Sequence, residues 1–493
     1  MEKIGLSKSG YCSGLQCPKI LWLRKNKPNE ANKTDKDSVL ENGTMVGEVA
    51  RGYFGEYSSV ATVDDKYEMV NETVDLMEKG AENITEASFI TNGLYCAVDI
   101  LHKDEDGWDI VEVKSSTKVD DIYKEDAAFQ YYVLKECGVN VKKVYILYIN
   151  NEYVRHGDLN LKTLFKLEDL TLEAESRSIY IPDNIEAMRN WEEGKGEPDI
   201  DIDMYCKEPY ECEFKAYCWK HIPTPSIFDI NNLKKKVMFS SYKAGIITFD
   251  QVKNSDVKLS DKQKKQVDFS LRHLPDYINK SRIQAFLDTL TYPLYHLDFE
   301  TFQQAIPEWE GGKPYAQIPF QYSLHIEYED GRLEHMEFLA KEGTDPRRAI
   351  AESLCKDIPI GVCSLAYNMG FEKGRLKELA DLFPDLANHL LDIRANMHDI
   401  MVPFQQGDYY SEAMKGSYSI KYVLPALYPD DPELDYHNLD EVHNGTEASS
   451  AFLTMAKKTP EEIAKLRANL LKYCGLDTYA MVKVLQKLRE TVE

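Results

Sequence analysis

Leu94-Tyr-Cys-Ala-Val-Asp-Ile-Leu-His102 alternates apolar and polar residues as a half-buried strand does. After Asp104-Glu-Asp-Gly107 comes Trp108-Asp-Ile-Val-Glu-Val-Lys114, which alternates again. Two such runs across a tight turn predict an antiparallel hairpin. Asp99 falls near the end of the first strand. Glu112 and Lys114 are two apart on the second, so they share a face while Val113 points into the core. Three charged groups thereby gather on one side of a sheet. Outward from the hairpin, a helix is expected around Thr44 to Tyr57. A second helix, Asp120 to Cys137, is stopped by Gly138, and a strand follows at Val144-Tyr-Ile-Leu-Tyr148. The order α-β-β-β-α-β predicts a mixed sheet in a domain of residues 1–220.

Carboxylates around a shared point suit a divalent cation, which neutralises a phosphodiester and acidifies an attacking water. A neighbouring ammonium stabilises charge that develops there. Glu-Val-Lys alone is also what an ordinary alternating hairpin carries. Here Asp99 lies at hairpin distance, Gln130-Tyr131 follows on the next helix, and Glu48 sits on the early helix. Together these resemble the PD-(D/E)XK nuclease superfamily, in its RecB-like branch. The resemblance implies that Asp99 and Glu112 bind metal, with Glu48 as a further ligand, and that Lys114 is catalytic. Gln130 and Tyr131 would support the site or the DNA. The proline of the superfamily's name is replaced, since Ala97-Val98 precede Asp99.

A second α/β unit is expected over residues 291–493. Leu294 to Phe299 reads as a strand. Ile318 to Tyr328 and Arg332 to Ala340 form a hairpin across Asp330-Gly331. Arg347 to Asp357 reads as a helix, Ile360 to Tyr367 as a buried strand, and a long helix closes the chain. Asp298 and Glu300 are two apart on a strand, and Tyr473 and Asp477 are four apart on a helix, so each pair shares a face. These elements resemble the DnaQ-like DEDD exonucleases with an RNase H-like sheet, in the subgroup with Tyr. The resemblance implies that Asp298, Glu300 and Asp477 bind two metals and that Tyr473 positions the attacking water. The middle motif, Ala366-Tyr-Asn-Met-Gly-Phe-Glu372, ends in Glu where that family has Asp, making Glu372 the remaining ligand. Asp399 ranks below it as a supporting carboxylate, and Lys421 is expected to meet phosphate.

Ten cysteines in a chain without an apolar signal segment point to a reducing cytoplasm and not to a disulfide framework. Cys96, Cys137, Cys355, Cys363 and Cys474 read as core fillers. Cys206, Cys212 and Cys218 are spaced Cys-x5-Cys-x5-Cys, with Cys17 or Cys12 available upstream. Four thiolates suit a [4Fe–4S] cluster or a structural Zn2+. One cysteine far upstream and three after the nuclease core resemble the iron–sulfur RecB-like exonucleases, which favours Cys17 and iron–sulfur.

The chain has 493 residues, 43% of them hydrophobic, and a net charge of −24. No transmembrane helix is expected. That charge argues against a surface coated for nucleic acid, but leaves room for a local basic groove. Lys19 to Lys27, Lys234-Lys235-Lys236 and Lys262 to Lys265 are the candidates, each equally readable as a solvated helix face. Residues 221–290, opened by Pro223 and Pro225, read as a helical linker in which Lys243 to Phe249 joins two short helices. The whole resembles an uncharacterised bacterial family that fuses a RecB-like domain (iron–sulfur, CRISPR-adaptation-exonuclease-like) to a DnaQ-like 3′–5′ exonuclease domain. The expectation is a metal-dependent nuclease using Mg2+ or Mn2+ on DNA, with RNA left open, in repair or defence against foreign DNA. Two alternatives stand beside it. In one, a single site is active and the other domain binds nucleic acid. In the other, the chain is a non-catalytic DNA-binding subunit, for which the acidic surface fits a protein partner.

Overall fold

The computed structural model describes residues 5–32, 37–105, 107–434 and 439–493. Asp106, in the expected hairpin turn, lies outside them. The chain is α/β and divides into two compact units, one running up to Ile222 plus Gln304–Tyr315, the other Pro223–Gln303 plus Ala316–Glu493. Among the described residues no helix is long and apolar enough to cross a membrane.

The first unit is built on a mixed sheet. Its strands are β1 (Leu6–Ser7), β2 (Ser58–Ser59), β3 (Asn83–Thr91), β4 (Leu94–Asp104), β5 (Gly107–Lys114), β6 (Val141–Ile149) and β7 (Phe165–Asp169). They run in the order β2-β3-β4-β5-β6-β7. The hairpin ladder between β4 and β5 extends only to Ile100↔Val111. Beyond it the strands fork, and β1 pairs in parallel with the freed end of β4 at Leu94 and Tyr95. Asp99 sits at this fork. Its Oδ2 accepts the Val113 N–H at 2.7 Å, replacing the ladder bond that the fork removes.

Helices α1 (Lys8–Gln16), α2 (Pro18–Asn26), α3 (Asp37–Ala50), α4 (Lys66–Glu78), α5 (Asp121–Glu136), α6 (Leu161–Leu164), α7 (Thr171–Ser178), α8 (Ile181–Glu193) and α9 (Lys215–Trp219) complete the unit. Tyr11, Met69, Phe129 and Ile185 from α1, α4, α5 and α8 share a core with Cys96, Val98 and Ile110 of the strands. Val46 and Ala50 of α3 pack in a second core with Ile100, Val111 and Leu147. The early helix begins before the expected Thr44 and ends at Ala50, with a single 3-10 turn over Arg51–Phe54.

The second unit has β9 (Leu294–Phe302), β10 (Ile318–Glu327), β11 (Leu333–Leu339), β12 (Cys363–Ala366) and β13 (Met397–Asp399) in the order β11-β10-β9-β12-β13. The first three are antiparallel and the last two parallel to β9. A small ribbon pairs β8 (Tyr277–Ile278) with β14 (Tyr409–Tyr410). The helices are α10 (Lys235–Lys243), α11 (Phe249–Lys253), α12 (Asp261–Arg272), α13 (Lys280–Leu287), α14 (Arg347–Asp357), α15 (Gly370–Leu382), α16 (Ala387–Ala395), α17 (Val402–Gln405), α18 (Ile420–Leu427), α19 (Gly445–Met455) and α20 (Pro460–Val492).

Two details depart from the expected division. The stretch expected as a linker belongs to the second unit and has its own core of Ile227, Met238, Phe249 and Val267. Gly245, at φ 78°, makes the turn between α10 and α11. Gln304–Tyr315, which follows β9, belongs to the first unit. There Ala305 and Ile306 are buried with Val111 and Leu147, and Arg155 exchanges backbone bonds with Gly311 and Gly312. No local pattern announces this excursion, because its apolar residues are satisfied by a core distant in sequence.

Candidate functional site

The fork in the first sheet gathers Asp99, Glu112, Lys114 and Gln130 as expected. Glu112 is buried, and both its oxygens are bonded. Lys114 Nζ donates to Oε1 at 2.6 Å and Gln130 Nε2 to Oε2 at 2.6 Å. Two further residues, not anticipated from the sequence, complete the cluster. Lys8 Nζ, at the start of α1, donates to the same Oε1 at 2.7 Å. Asp126 of α5 accepts Lys114 at 2.6 Å and meets Lys8 at 3.3 Å. Asp126 was findable, since it precedes Gln130 by four and so shares its helix face. Lys8 lies 104 residues from Glu112, with no spacing to announce it.

Burial and the adjacent Glu112 charge raise the Asp99 carboxyl above its usual range. Burial would raise Glu112 too, but Lys114 and Lys8 outweigh it and hold that carboxyl well below. Lys114 keeps its proton against burial because Glu112 and Asp126 flank it.

Two expected members stand apart. The Tyr131 hydroxyl donates to Glu175 at 3.4 Å and not to the cluster. Adjacent helical residues point about 100° apart, so the buried Gln130 and its neighbour do not share a target. Glu48 is exposed on α3, and no bond links it to the cluster among the described residues.

In the second unit the long α20 is anchored along β10. Gln321 Nε2 donates to the Leu470 carbonyl at 2.8 Å. Thr478 Oγ1 lies 2.6 Å from Ser323 Oγ and 2.7 Å from His325 Nδ1, and Arg489 pairs with Glu327. These four β10 positions alternate, so all face the helix. Asp298 and Glu300 pair with Ser323 and Gln321 on β9 and so present to the same helix. A sulfur or carboxylate oxygen from each of Asp298, Glu300 and Cys474 lies within 4.8 Å of the other two. Cys474, expected as a core filler, therefore sits at the carboxylates while remaining fully buried. Tyr473 beside it is also buried.

Burial, then Asp477, Glu300 and Glu372, raise the Asp298 carboxyl well above its usual range. Burial and Asp477 raise Glu300, with only Lys421 opposing. Glu372 is pushed up to about 8 by burial, with Asp399 adding and Arg375 opposing. Among the described residues its Oε2 is buried without a hydrogen-bond partner. Burial and the same carboxylates push the Tyr473 hydroxyl far up, so it stays protonated as a donor. Asp399 instead accepts the N–H groups of Asn368, Met369 and Met401, which makes it a backbone brace. The first residue of α19 closes the site, since a Cβ on Gly445 would stand 3.4 Å from Glu300 Oε2.

Cys17, Cys206, Cys212 and Cys218 line one narrow cavity of the first unit. Cys12 instead packs against the core of the first sheet. Burial pushes Cys17 up to about 11 and Cys212 up to about 12, and the neighbouring thiols add to it. All ten cysteines are free. In the basic stretch beside this cavity, Lys19 and Lys27 pair with Glu197 and Arg24 with Glu213. In the stretch Lys262 to Lys265, Lys264 pairs with Asp261.

A family described as "Domain of unknown function (DUF2779)" matches residues 295–419, which span Asp298, Glu300 and Glu372. No curated protein and no solved structure matches the chain.

Proposed function

We propose that this chain is a metal-dependent nuclease acting on DNA, with one carboxylate centre in each unit. The single observation that carries the reading is the second centre. Asp298 and Glu300 converge with Cys474, Glu372 acts electrostatically on Asp298, all three carboxyls have raised proton affinity, and among the described residues Glu372 Oε2 is buried without a hydrogen-bond partner. Buried like charges of this kind are stabilised by a divalent cation. Asp298, Glu300, Glu372 and Asp477 would hold it, and Asp99 and Glu112 would hold its counterpart in the first unit. When bound, such an ion neutralises the phosphodiester and lowers the pKa of the attacking water.

The chain's own groups supply the rest. The protonated Tyr473 hydroxyl orients the water beside Asp477. Lys114, fixed by Glu112 and Asp126, keeps a positive charge where the leaving oxygen develops its negative one.

For the thiols, a tetrahedral zinc with bonds of about 2.3 Å sets its sulfurs about 3.8 Å apart. Among the described residues no three of the four sulfurs lie within 4.8 Å of one another. A [4Fe–4S] cluster, in which each thiolate binds a different iron, suits this wider spacing. Free thiols throughout also suit a cytoplasmic location.

The test is Asp99→Asn and Asp298→Asn, made separately and assayed with Mg2+ and Mn2+ on end-labelled single- and double-stranded DNA and on RNA of the same sequence. Each change should remove one cleavage pattern. Unchanged cleavage in both variants would refute the reading. A second reading keeps only the Asp298 centre active, favoured by the full occupation of Glu112 by hydrogen bonds; Asp99→Asn would then be silent. Cleavage by neither variant nor the parent with any divalent ion would favour a DNA-binding subunit. Anaerobic absorption with iron and zinc analysis tests the cluster.

A further inference from the structure

Lys8 is rooted with unusual firmness for a lysine near the start of a chain. Gly5 and Leu6 donate their N–H groups to the Gly93 carbonyl, and β1 pairs with β4. The Ser7 side chain caps α1 by accepting the Gly10 N–H at 3.2 Å. One turn along, the buried Tyr11 stacks on Phe129 of α5 with ring centres 4.9 Å apart. Its hydroxyl accepts Asn184 Nδ2 at 3.0 Å. The root of Lys8 is therefore fixed to the helix that carries Asp126 and Gln130.

From there its ammonium takes Glu112 Oε1 at 2.7 Å, an oxygen already bonded to Lys114 at 2.6 Å. Gln130 holds the other Glu112 oxygen, and the Val113 amide holds one oxygen of Asp99. A divalent ion shared by Asp99 and Glu112 must take a position that an ammonium now holds. Lys114 has a second short bond, 2.6 Å to Asp126, whereas Lys8 meets that carboxylate at 3.3 Å. Lys8 is the weaker-held of the two. Three carboxylates facing two ammoniums leave one negative charge, and exchanging one ammonium for a divalent ion brings the cluster to neutrality.

We infer that Lys8 is an internal counter-ion that competes with the divalent metal for Glu112 and sets the metal concentration at which this centre fills. The inference rests on the reading of Asp99 and Glu112 as metal ligands. Lys8 is a positioning residue, acting through Glu112.

The test is Mn2+ binding to the full chain, followed by the electron paramagnetic resonance of free Mn2+ and by calorimetry. All variants carry Asp298→Asn, so that only the first centre is read. Lys8→Met should bind Mn2+ about tenfold more tightly than the parent, while Lys8→Arg stays near it. A merely structural role would move affinity the other way. Lys8→Gln, which keeps a donor for Asp126 without the charge, is judged by the same standard if the Met variant does not fold. Equal or weaker binding in Lys8→Met, with Glu112→Gln abolishing it, overturns the inference and leaves the metal centre standing. Binding that Glu112→Gln does not alter overturns the centre and the inference together.

Discussion

Around Glu112, three carboxylates are met by two ammoniums and an amide, and the central acid is held ionised. In the second unit Asp298, Glu300 and Glu372 each have their proton affinity raised, by burial first and then by neighbouring carboxylates. Lys421 and Arg375 ease Glu300 and Glu372 but do not reverse the shift. Both are acidic clusters on a sheet face, yet in one the carboxylates are paired with ammoniums of the chain and in the other burial and like charge prevail. A count of carboxylates therefore does not measure the demand for metal; what sits opposite each oxygen does.

The largest effects should come from removing a central acid. Asp477→Asn and Glu112→Gln are each expected to lower cleavage at their own centre on the order of a thousandfold, with the other centre's products unchanged. Single-turnover assays on end-labelled DNA check this. If either change silences both product sets, the centres are not independent.

The pH dependence of metal-free stability sharpens the contrast. Glu372 has a folded pKa of about 8, above its ordinary 4.5. Between those values the unfolded chain releases a proton that the folded one keeps, so stability falls as pH rises through that window. Glu112 is depressed, so its contribution is present above the ordinary carboxylate range and lost as pH falls below it. Thermal unfolding followed with and without Mn2+ should show the loss between pH 4.5 and 8 disappear when the ion is present, while the acid-side loss persists. A loss in that window indifferent to Mn2+ would count against an ion at Glu372.

A smaller effect is expected at Gly445, where added side-chain bulk meets Glu300 Oε2. Gly445→Val should weaken Mn2+ binding at the second centre several-fold while the fold survives, as read by calorimetry and circular dichroism. The smallest is Tyr131→Phe. With its hydroxyl on Glu175, its loss should leave cleavage within about twofold, since exposed contacts of this kind contribute little.

What was legible in the sequence follows from the range of the forces involved. Glu112 and Lys114, Asp298 and Glu300, and Tyr473 and Asp477 were paired correctly because strand and helix periods fix which neighbours share a face. Glycines fixed the turns after α5 and α10 for the same local reason. Lys8 and Cys474 escaped because tertiary packing alone brings them to their partners, and a lysine or a buried cysteine carries no spacing that says so. Of the two residues expected to support the site or the DNA, Gln130 bonds Glu112 whereas Tyr131 bonds Glu175, because adjacent helical residues point in different directions. The excursion Gln304–Tyr315 escaped because it is held by groups far away in sequence, as where Arg155 donates to the Pro307 carbonyl across 152 residues and Ala305 packs with Val111 and Leu147.

One helix of the first unit has chemistry at both ends. Lys8 opens α1 over the carboxylates, and Cys17 caps its far end at the thiol cavity. Gln16 binds the carbonyls of Tyr205 and Tyr210, at 2.7 Å each, in the segment that carries Cys206 and Cys212. Nine residues of helix make a strut of about 13 Å. Because α1 is one continuous helix, its length alone sets the spacing between the Glu112 cluster and the thiol cavity.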